Sequence, residues 1–448
     1  MRRFLNIAFF LLLVNEGDVE WKGTMWTPMQ LIAFLFDRDT PIKHSLFQLA
    51  IYVALLMGGS AARTGRVALM DRVIKAALVT IGIWWAYGMA TGGDFKATYT
   101  QIFTVTQSLL FAIAIIRHNR TPEHFFELGR VIVYAAVYRA IMLIIFYLVY
   151  ARDFVYPNIP EYLSTHGDTV LFVDAILILF AYALAARSRK ATRFMLLAVP
   201  IILVAIQLNN RRLAWASLAG GLIVLYSVLP SRGRVTKAVN RTLLWIGPVL
   251  ALYVLIGTGR TERIFKPLVA FSTMGGGKVD ASTQARDNEN DGLVTMVGMA
   301  PVAGTGWGHQ WLELDNTYSV PVSTFPMYHY LCHNNVLIII AFTGLLGFAG
   351  LWLPLPVSVY LNTRAYRTST VPLERAAAMS GACMVVVTMN QFWGDMGVIS
   401  WDATYLVAIA YAAAARLPIT SGAWPSPQPS KGAARVAEGP APTAPLPS

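Results

Sequence analysis

Charge is what this chain has least of. Only 13% of its 448 residues are Asp, Glu, Lys or Arg, while 56% are hydrophobic and the mean hydropathy is +0.52. A water-facing domain carries about 25% charged residues, so this sequence cannot cover a soluble surface of its size. The expectation is one polytopic membrane bundle rather than a string of soluble domains. Cysteine is nearly absent as well. Cys332 and Cys383 are the two present, too few for a disulfide framework and without a metal-ligand spacing, which sets aside structural zinc and thiol redox chemistry. Acidic residues are the scarcer sign, 24 against 36 Lys and Arg, for a formal charge of +12. In a membrane protein basic residues collect on cytoplasmic segments for topological reasons, so the excess does not imply nucleic acid. Internal repeats are missing too.

Apolar runs are abundant. Measured against a span of about 20 residues, twelve candidate helices lie near 4–14, 44–59, 73–89, 98–116, 125–150, 168–186, 194–208, 213–229, 243–257, 333–361, 376–393 and 403–416. The first is short and follows Arg2-Arg3 like a signal peptide, but Asn15-Glu16-Gly17-Asp18 offers no small-residue cleavage site, so it reads as an anchor or re-entrant segment. Segment 23–36 reads as interfacial. With a cytoplasmic N-terminus, most of the 36 basic residues fall inside, and the even number of spans returns the C-terminus there. Two clusters break the pattern: Asn209-Asn210-Arg211-Arg212, and the loop 258–332 with Arg260, Arg263, Lys266, Lys278 and Arg286. Positive charge placed outside against the topological bias suggests another use.

The chain therefore divides into an N-terminal bundle (1–257), one long outer loop (258–332), C-terminal membrane helices (333–416) and a Pro-, Ala- and Ser-rich tail (417–448) that reads as disordered cytoplasmic polypeptide. Loops beyond about 12–15 residues are usually functional or disordered. This one carries Gly275-Gly276-Gly277, then a polar run from Ser282 to Asp291 that predicts a capped helix start leading into Leu293 to Met299. Gly304-Thr305-Gly306-Trp307-Gly308 follows. No strand precedes it and no βαβ unit exists, so it reads as a tight turn and not a nucleotide fingerprint.

Three constellations can carry chemistry. Arg211-Arg212 sits between two apolar spans at the outer surface. Guanidinium forks pair bidentately with phosphate oxygens and stay charged, so this pair can hold a lipid-linked pyrophosphate; the plain alternative is snorkelling or helix capping. Arg286 begins the polar helix, where the plain alternative is an exposed salt bridge to Asp287, Glu289 or Asp291. His333, in Leu331-Cys332-His333-Asn334-Asn335, precedes the run from Val336. A helix N-terminus disfavours imidazolium and keeps a neutral ring available as a base, with Asn334 or Asn335 to cap the helix or orient the ring. The plain alternative is a polar interfacial histidine, and His329 and His309 are rivals in the same loop. Arg139 and Asp174 are ionisable residues inside spans, either functional or paired structurally between helices.

These residues carry a resemblance. Ser282-Thr283-Gln284-Ala285-Arg286-Asp287-Asn288-Glu289-Asn290, Pro301-Val302-Ala303-Gly304-Thr305-Gly306-Trp307-Gly308-His309, His333-Asn334-Asn335 and Gly344-Leu345-Leu346-Gly347 together resemble the O-antigen ligase and polymerase family. Asn210-Arg211-Arg212-Leu213-Ala214-Trp215 is similar to that family's upstream element, and the likeness covers roughly residues 195 to 360. The resemblance implies an all-α, GT-C-like membrane glycosyltransferase of the bacterial inner membrane with its active site facing the periplasm. The implied reaction is inverting and needs no metal or other cofactor. It moves a glycan from undecaprenyl pyrophosphate to an acceptor hydroxyl, on lipid A core for a ligase or on a growing polysaccharide for a polymerase. Carried over by residue, Arg212 matches the upstream arginine, Arg286 the loop arginine and His333 the histidine. Arg211 stands at the usual serine position, which leaves both arginines open as pyrophosphate ligands, and Asn334, Arg139 and His329 can play supporting roles. Partners are then the lipid-linked donor, the acceptor and membrane lipids, without nucleic acid. The rival reading is a transporter or flippase of lipid-linked saccharide. That class favours broken helices and paired repeats, and no repeat is visible here; a non-catalytic scaffold leaves the placed arginines and His333 unexplained.

Overall fold

The computed structural model describes residues 1–15, 45–57, 69–149, 151, 162–186, 189–230, 233–258, 260, 265, 268, 281–315, 317, 323, 326–395 and 400–424. Among these every long element is a helix: α1 (Arg2–Asn15), α2 (Leu46–Met57), α3 (Leu69–Ala90), α4 (Phe95–His118), α5 (Pro122–Val149), α6 (His166–Ala186), α7 (Arg189–Asn209), α8 (Arg212–Val228), α9 (Arg234–Gly257), α10 (Ala281–Met299), α11 (Asn335–Trp352), α12 (Pro354–Thr368), α13 (Pro372–Gly394) and α14 (Trp401–Thr420). Among the described residues eight helical stretches are long and apolar enough to cross a membrane, counting α11 and α12 as one, and α2 and α8 are apolar but shorter. The chain is a multi-pass membrane protein. The expected interfacial segment 23–36, the run Gly275-Gly276-Gly277 and the tail beyond residue 424 lie outside the described residues.

Each of the twelve apolar runs falls on a helix, with two differences. The run 333–361 is two helices, α11 and α12, divided at Leu353-Pro354. A proline has no N–H for the helical ladder, but it is well suited to a first turn. The last helix continues to Thr420, past the expected start of the tail, because Leu417 and Pro418 are buried against the bundle and Ser421 N–H closes the turn on the Leu417 carbonyl.

Small residues let the central helices approach closely. The Ala-Gly-Ser stretch Ala376 to Ala382 of α13 and the Ala-rich stretch Ala408 to Ala415 of α14 are almost wholly buried. Around them α13 packs on α5, α6, α8, α12 and α14, and α14 also packs on α4. By contrast α9 exposes Leu243, Leu244, Trp245, Val249, Leu250 and Leu255, an apolar surface of the kind that suits contact with lipid.

Two ends of the bundle differ in chemistry. At one, Arg2 pairs with Glu127, Arg117 donates to the Leu55 carbonyl, and Arg416 donates to the Ile116 carbonyl. The basic residues Arg120, Arg189, Lys190, Arg367 and Arg375 belong to the same turns and helix ends. The opposite end gathers the α3–α4 turn, the start of α6, the α7–α8 turn, the start of α11, the end of α13 and the start of α14. Here α10 and the glycine-rich turn dock. The docking is a backbone exchange: Gly344 in α11 has a positive φ of 59° and opens the helix. Leu345 and Leu346 N–H groups turn to the Pro301 and Val302 carbonyls, and the Ala341 and Phe342 carbonyls accept from Thr305 and Gly306. These four backbone groups at the opening thus find partners in the loop, as buried backbone requires.

Candidate functional site

The α7–α8 turn sets the first wall. Asn209, buried, accepts from Ser164 N–H at 2.9 Å, and Asn210 takes a left-handed φ of 60°, a conformation that asparagine tolerates. That reversal makes Arg211 the N-cap of α8. Its guanidinium folds back over the segment before α6: it lies 4.2 Å from the Tyr162 ring centre, and Nε and Nη2 donate to the Ser164 carbonyl at 3.3 and 2.9 Å. Its Nη1 meets His166, whose Nδ1 also contacts the buried carboxylate of Asp395 at the end of α13. Arg212, the first residue of α8, is exposed.

The second wall is α10. Its polar start and buried face form the expected loop helix, and Asn288 bonds both ways to the backbone of Asp315. Arg286, Glu289 and Leu293 recur at helical spacing and share one face. Glu289 is 2% exposed. It does not pair with Arg286. Instead its Oε2 accepts from the backbone N–H of His333 at 2.9 Å, and its carboxylate sits 3.0 and 3.1 Å from His333 Nδ1. A carboxylate can only accept, so Nδ1 carries the proton and Nε2 keeps its lone pair. Arg286 has no hydrogen bond or ion pair among the described residues, its Nε is buried without an acceptor, and Asp287 and Asp291 point outward.

His333 precedes α11 rather than beginning it. Asn334 caps that helix, its Oδ1 accepting from Leu337 N–H at 3.2 Å, and Asn335 donates to the Cys332 carbonyl. The ring is thus oriented by Glu289 and not by either asparagine. His166 lies within electrostatic range of Arg211, Arg286 and His333, so residues 45 to 167 positions apart share one patch. Neighbouring groups are poor substitutes for His333 as a base or nucleophile. Burial, with the Glu289 and Glu313 carboxylates adding, pushes the Tyr328 phenol up, and burial first and Glu289 second push the Cys332 thiol well up.

The remaining candidates are placed elsewhere. His329 pairs loosely with Glu313 at 3.8 Å and packs beside Trp311 and Tyr328; His309 bonds Thr91 at 2.9 Å. Arg139 is buried in a bidentate pair with Asp168, at 2.9 and 2.7 Å, which ties α5 to α6. That is a structural ion pair between adjacent helices, and its partner is Asp168 rather than Asp174. Asp174 is fully buried near Cys383, its carboxyl oxygens meeting no donor among the described residues. The glycine-rich motif is a packed turn, as its sequence context indicates: a Cβ on Gly306 would strike Gly88 of α3, and Gly308 N–H donates to Gln101 at 2.7 Å.

Comparison with protein-family models and with curated proteins gives no match. The geometry itself therefore carries the functional argument. Sequence reading missed three members: Glu289 as the partner of His333, and His166 with Asp395 beside Arg211. Only the place of Glu289, one turn after Arg286 on a helical face, was a local signal.

Proposed function

We propose that the protein is an O-antigen ligase- or polymerase-like glycosyltransferase that moves a glycan from undecaprenyl pyrophosphate to an acceptor hydroxyl. The observation that carries the reading is the Glu289–His333 pair at the end of the membrane bundle that also holds Arg211 and Arg286, with His166 in electrostatic range of His333 and both arginines. His333 Nε2, left with its lone pair by the bond from Nδ1 to Glu289, takes the proton of the acceptor hydroxyl. The acceptor oxygen attacks the anomeric carbon as the bond to pyrophosphate breaks, with inversion. The leaving group departs as polyprenyl pyrophosphate, its charge met by guanidinium groups that need no reorganisation. Arg286, with its buried and unanswered Nε–H, is the first ligand. Of the adjacent pair, Arg211 is the better placed, because its guanidinium is held against His166 and the Ser164 carbonyl.

The same reading takes the basic end of the bundle as cytoplasmic by the positive-inside bias. The site end then faces the periplasm of a bacterial inner membrane, with twelve spans of GT-C type. Lipid A core and the end of a growing polysaccharide are the two acceptors of this chemistry. The test is release of polyprenyl pyrophosphate from a lipid-linked oligosaccharide by the purified protein with an acceptor extract. Wild-type release that is lost in His333→Ala and Arg286→Ala, both inserted normally, supports the reading; full activity in either variant removes it. In cells, loss of the ladder of polysaccharide lengths on gene deletion marks a polymerase, and intact polymer that fails to reach lipid A marks a ligase.

A further inference from the structure

We propose that the seam between α5 and α7 at the basic end of the bundle binds an anionic phospholipid, with Arg130 and Lys190 holding its phosphate and the apolar rows beyond them receiving its acyl chains. The seam lies on the outside of the bundle, at the end opposite Glu289 and His333, and the inference does not depend on the transferase reading.

Two helices repeat one order of chemistry. On α5, Arg130, Tyr134, Ile141 and Leu148 are all exposed, at steps of four, seven and seven residues that keep them on one helical face. On α7, Lys190, Phe194, Leu197 and Val204 are exposed at steps of four, three and seven. Each row runs from a cation through an aromatic ring to aliphatic side chains. The two rows are also in step. Helix α5 packs on α7, and the Tyr134 and Phe194 rings meet edge to face with their centres 6.1 Å apart. Helix α6 returns between them, so α5 and α7 both run from the basic end towards the site end. One turn back from the ring contact, Arg130 and Lys190 therefore stand at the same level.

The Arg130 guanidinium is held in place before any ligand arrives. It lies 5.9 Å from the Phe126 ring centre and 5.3 Å from that of Tyr134, and its Nη2 donates to the Tyr134 hydroxyl at 3.1 Å. Among the described residues neither Arg130 nor Lys190 has a carboxylate partner. The acidic residues nearest along α5 are engaged elsewhere: Glu127 pairs with Arg2 of α1, and Glu123 bonds Thr121. Two cations at one level repel, and an anion between them relieves the repulsion. A phosphate suits both, meeting the planar fork of the arginine and the point charge of the lysine. Aromatic rings belong at the level where headgroup gives way to hydrocarbon, and basic residues between helices at a membrane face recognise anionic headgroups. A free phosphate meets only the cations. A phospholipid meets all three zones of both rows, and it is the occupant that their order selects.

The probes are phosphatidylglycerol and phosphatidylcholine with the same acyl chains, titrated into the delipidated full-length protein in detergent and counted as bound lipids by native mass spectrometry. The first phosphatidylglycerol is expected to bind roughly 25-fold more tightly than phosphatidylcholine, at about fivefold for each of the two basic residues. Lys190→Gln should lose about fivefold of that preference, and Arg130→Gln with Lys190→Gln all of it. Arg364→Gln with Arg367→Gln removes the same charge from exposed positions on α12 at the same end of the bundle and should leave the preference unchanged. A melting curve checks the fold of each variant, and the single Lys190 variant carries the test if the double one is unstable. Equal affinity of the wild type for the two lipids, a preference that survives loss of Arg130 and Lys190, or an equal loss in the α12 variant overturns the proposal. Displacement of the bound lipid by glycerol phosphate at the same concentration also overturns it, and makes the seam a site for a free anion.

Discussion

Replacing Glu289 by glutamine tests the central pair with the least disturbance. The amide keeps the volume of a buried side chain and can still accept from the His333 backbone N–H through its oxygen, so the fold is retained. What is lost is the charge beside the ring. Between ground and transition state His333 gains a proton, and a carboxylate at 3.0 Å from Nδ1 stabilises that charge. A unit pair at this distance is worth roughly 5–6 kcal/mol at an effective dielectric of about 20. The histidine side chain is 31% exposed, and solvent screening reduces the difference to about 2–3 kcal/mol. That corresponds to a fall in kcat of roughly 10²-fold. Glu289 faces His333 and not the arginines, so KM for the lipid-linked donor should stay within about twofold, uniform donor binding being unaffected. The assay is release of polyprenyl pyrophosphate under saturating donor, with a melting curve as the control for folding. A Glu289→Gln variant that turns over within threefold of wild type, or that loses rate through KM alone, refutes the assignment of Glu289 and His333 as a base with its orienting carboxylate.

Three further outcomes follow from the geometry. Asp168→Asn leaves Arg139 as a buried charge without its bidentate partner, and thermal unfolding in detergent should show a loss of about 3–5 kcal/mol, largely recovered when Arg139 is also replaced by methionine. Gly344→Ala places a Cβ against the Val302 carbonyl at a positive φ of 59°; the spliced loop should loosen, with a loss of about 2 kcal/mol or more and increased proteolysis between residues 300 and 310. The Cys332 thiol, pushed well up by burial and by Glu289, holds its proton in the folded protein as the pH rises through the ordinary thiol range. Maleimide labelling of native protein should therefore stay slow even near pH 9, and become complete in denaturing detergent. Rapid native labelling would contradict the burial of Cys332.

Much of the fold is legible in hydropathy because a helix in lipid must satisfy its own backbone and present apolar side chains over its full length. The run 168–186 could hardly be anything but α6, and the polar run from Ser282 into Leu293 to Met299 falls on α10, which begins at Ala281, so that the cap expected at its start lies outside the described residues. The division of 333–361 was harder to read. Pro354 inside an apolar run is compatible with a kink or with a new first turn, and the opening at Gly344 depends on carbonyls of Pro301 and Val302, some forty residues earlier. Nothing near Gly344 in the sequence announces those partners.

The site shows the same limit more sharply. Arg286 and His333 could be singled out because each stands in an unusual local setting, a basic residue in a long outer loop and a histidine at the mouth of a span. The acidic partners carry no such mark. Glu289 is one of several carboxylates on α10, and its neighbours Asp287 and Asp291 are solvent-facing; only docking on the residues before α11 selects it. Asp395 ends one span and His166 begins another, 229 residues apart. Each is an ordinary polar residue at a helix end, where capping or hydration accounts for it. Their meaning arises when the turn at Asn210 carries Arg211 back over residues 162 to 166. A catalytic base needs a fixed tautomer and an anion ligand needs a fixed plane, and in both cases the fixing group comes from another helix. Spacing along the chain can therefore nominate the groups that would meet substrate, whereas the groups that hold them in place become visible only when the ends of the bundle are brought together.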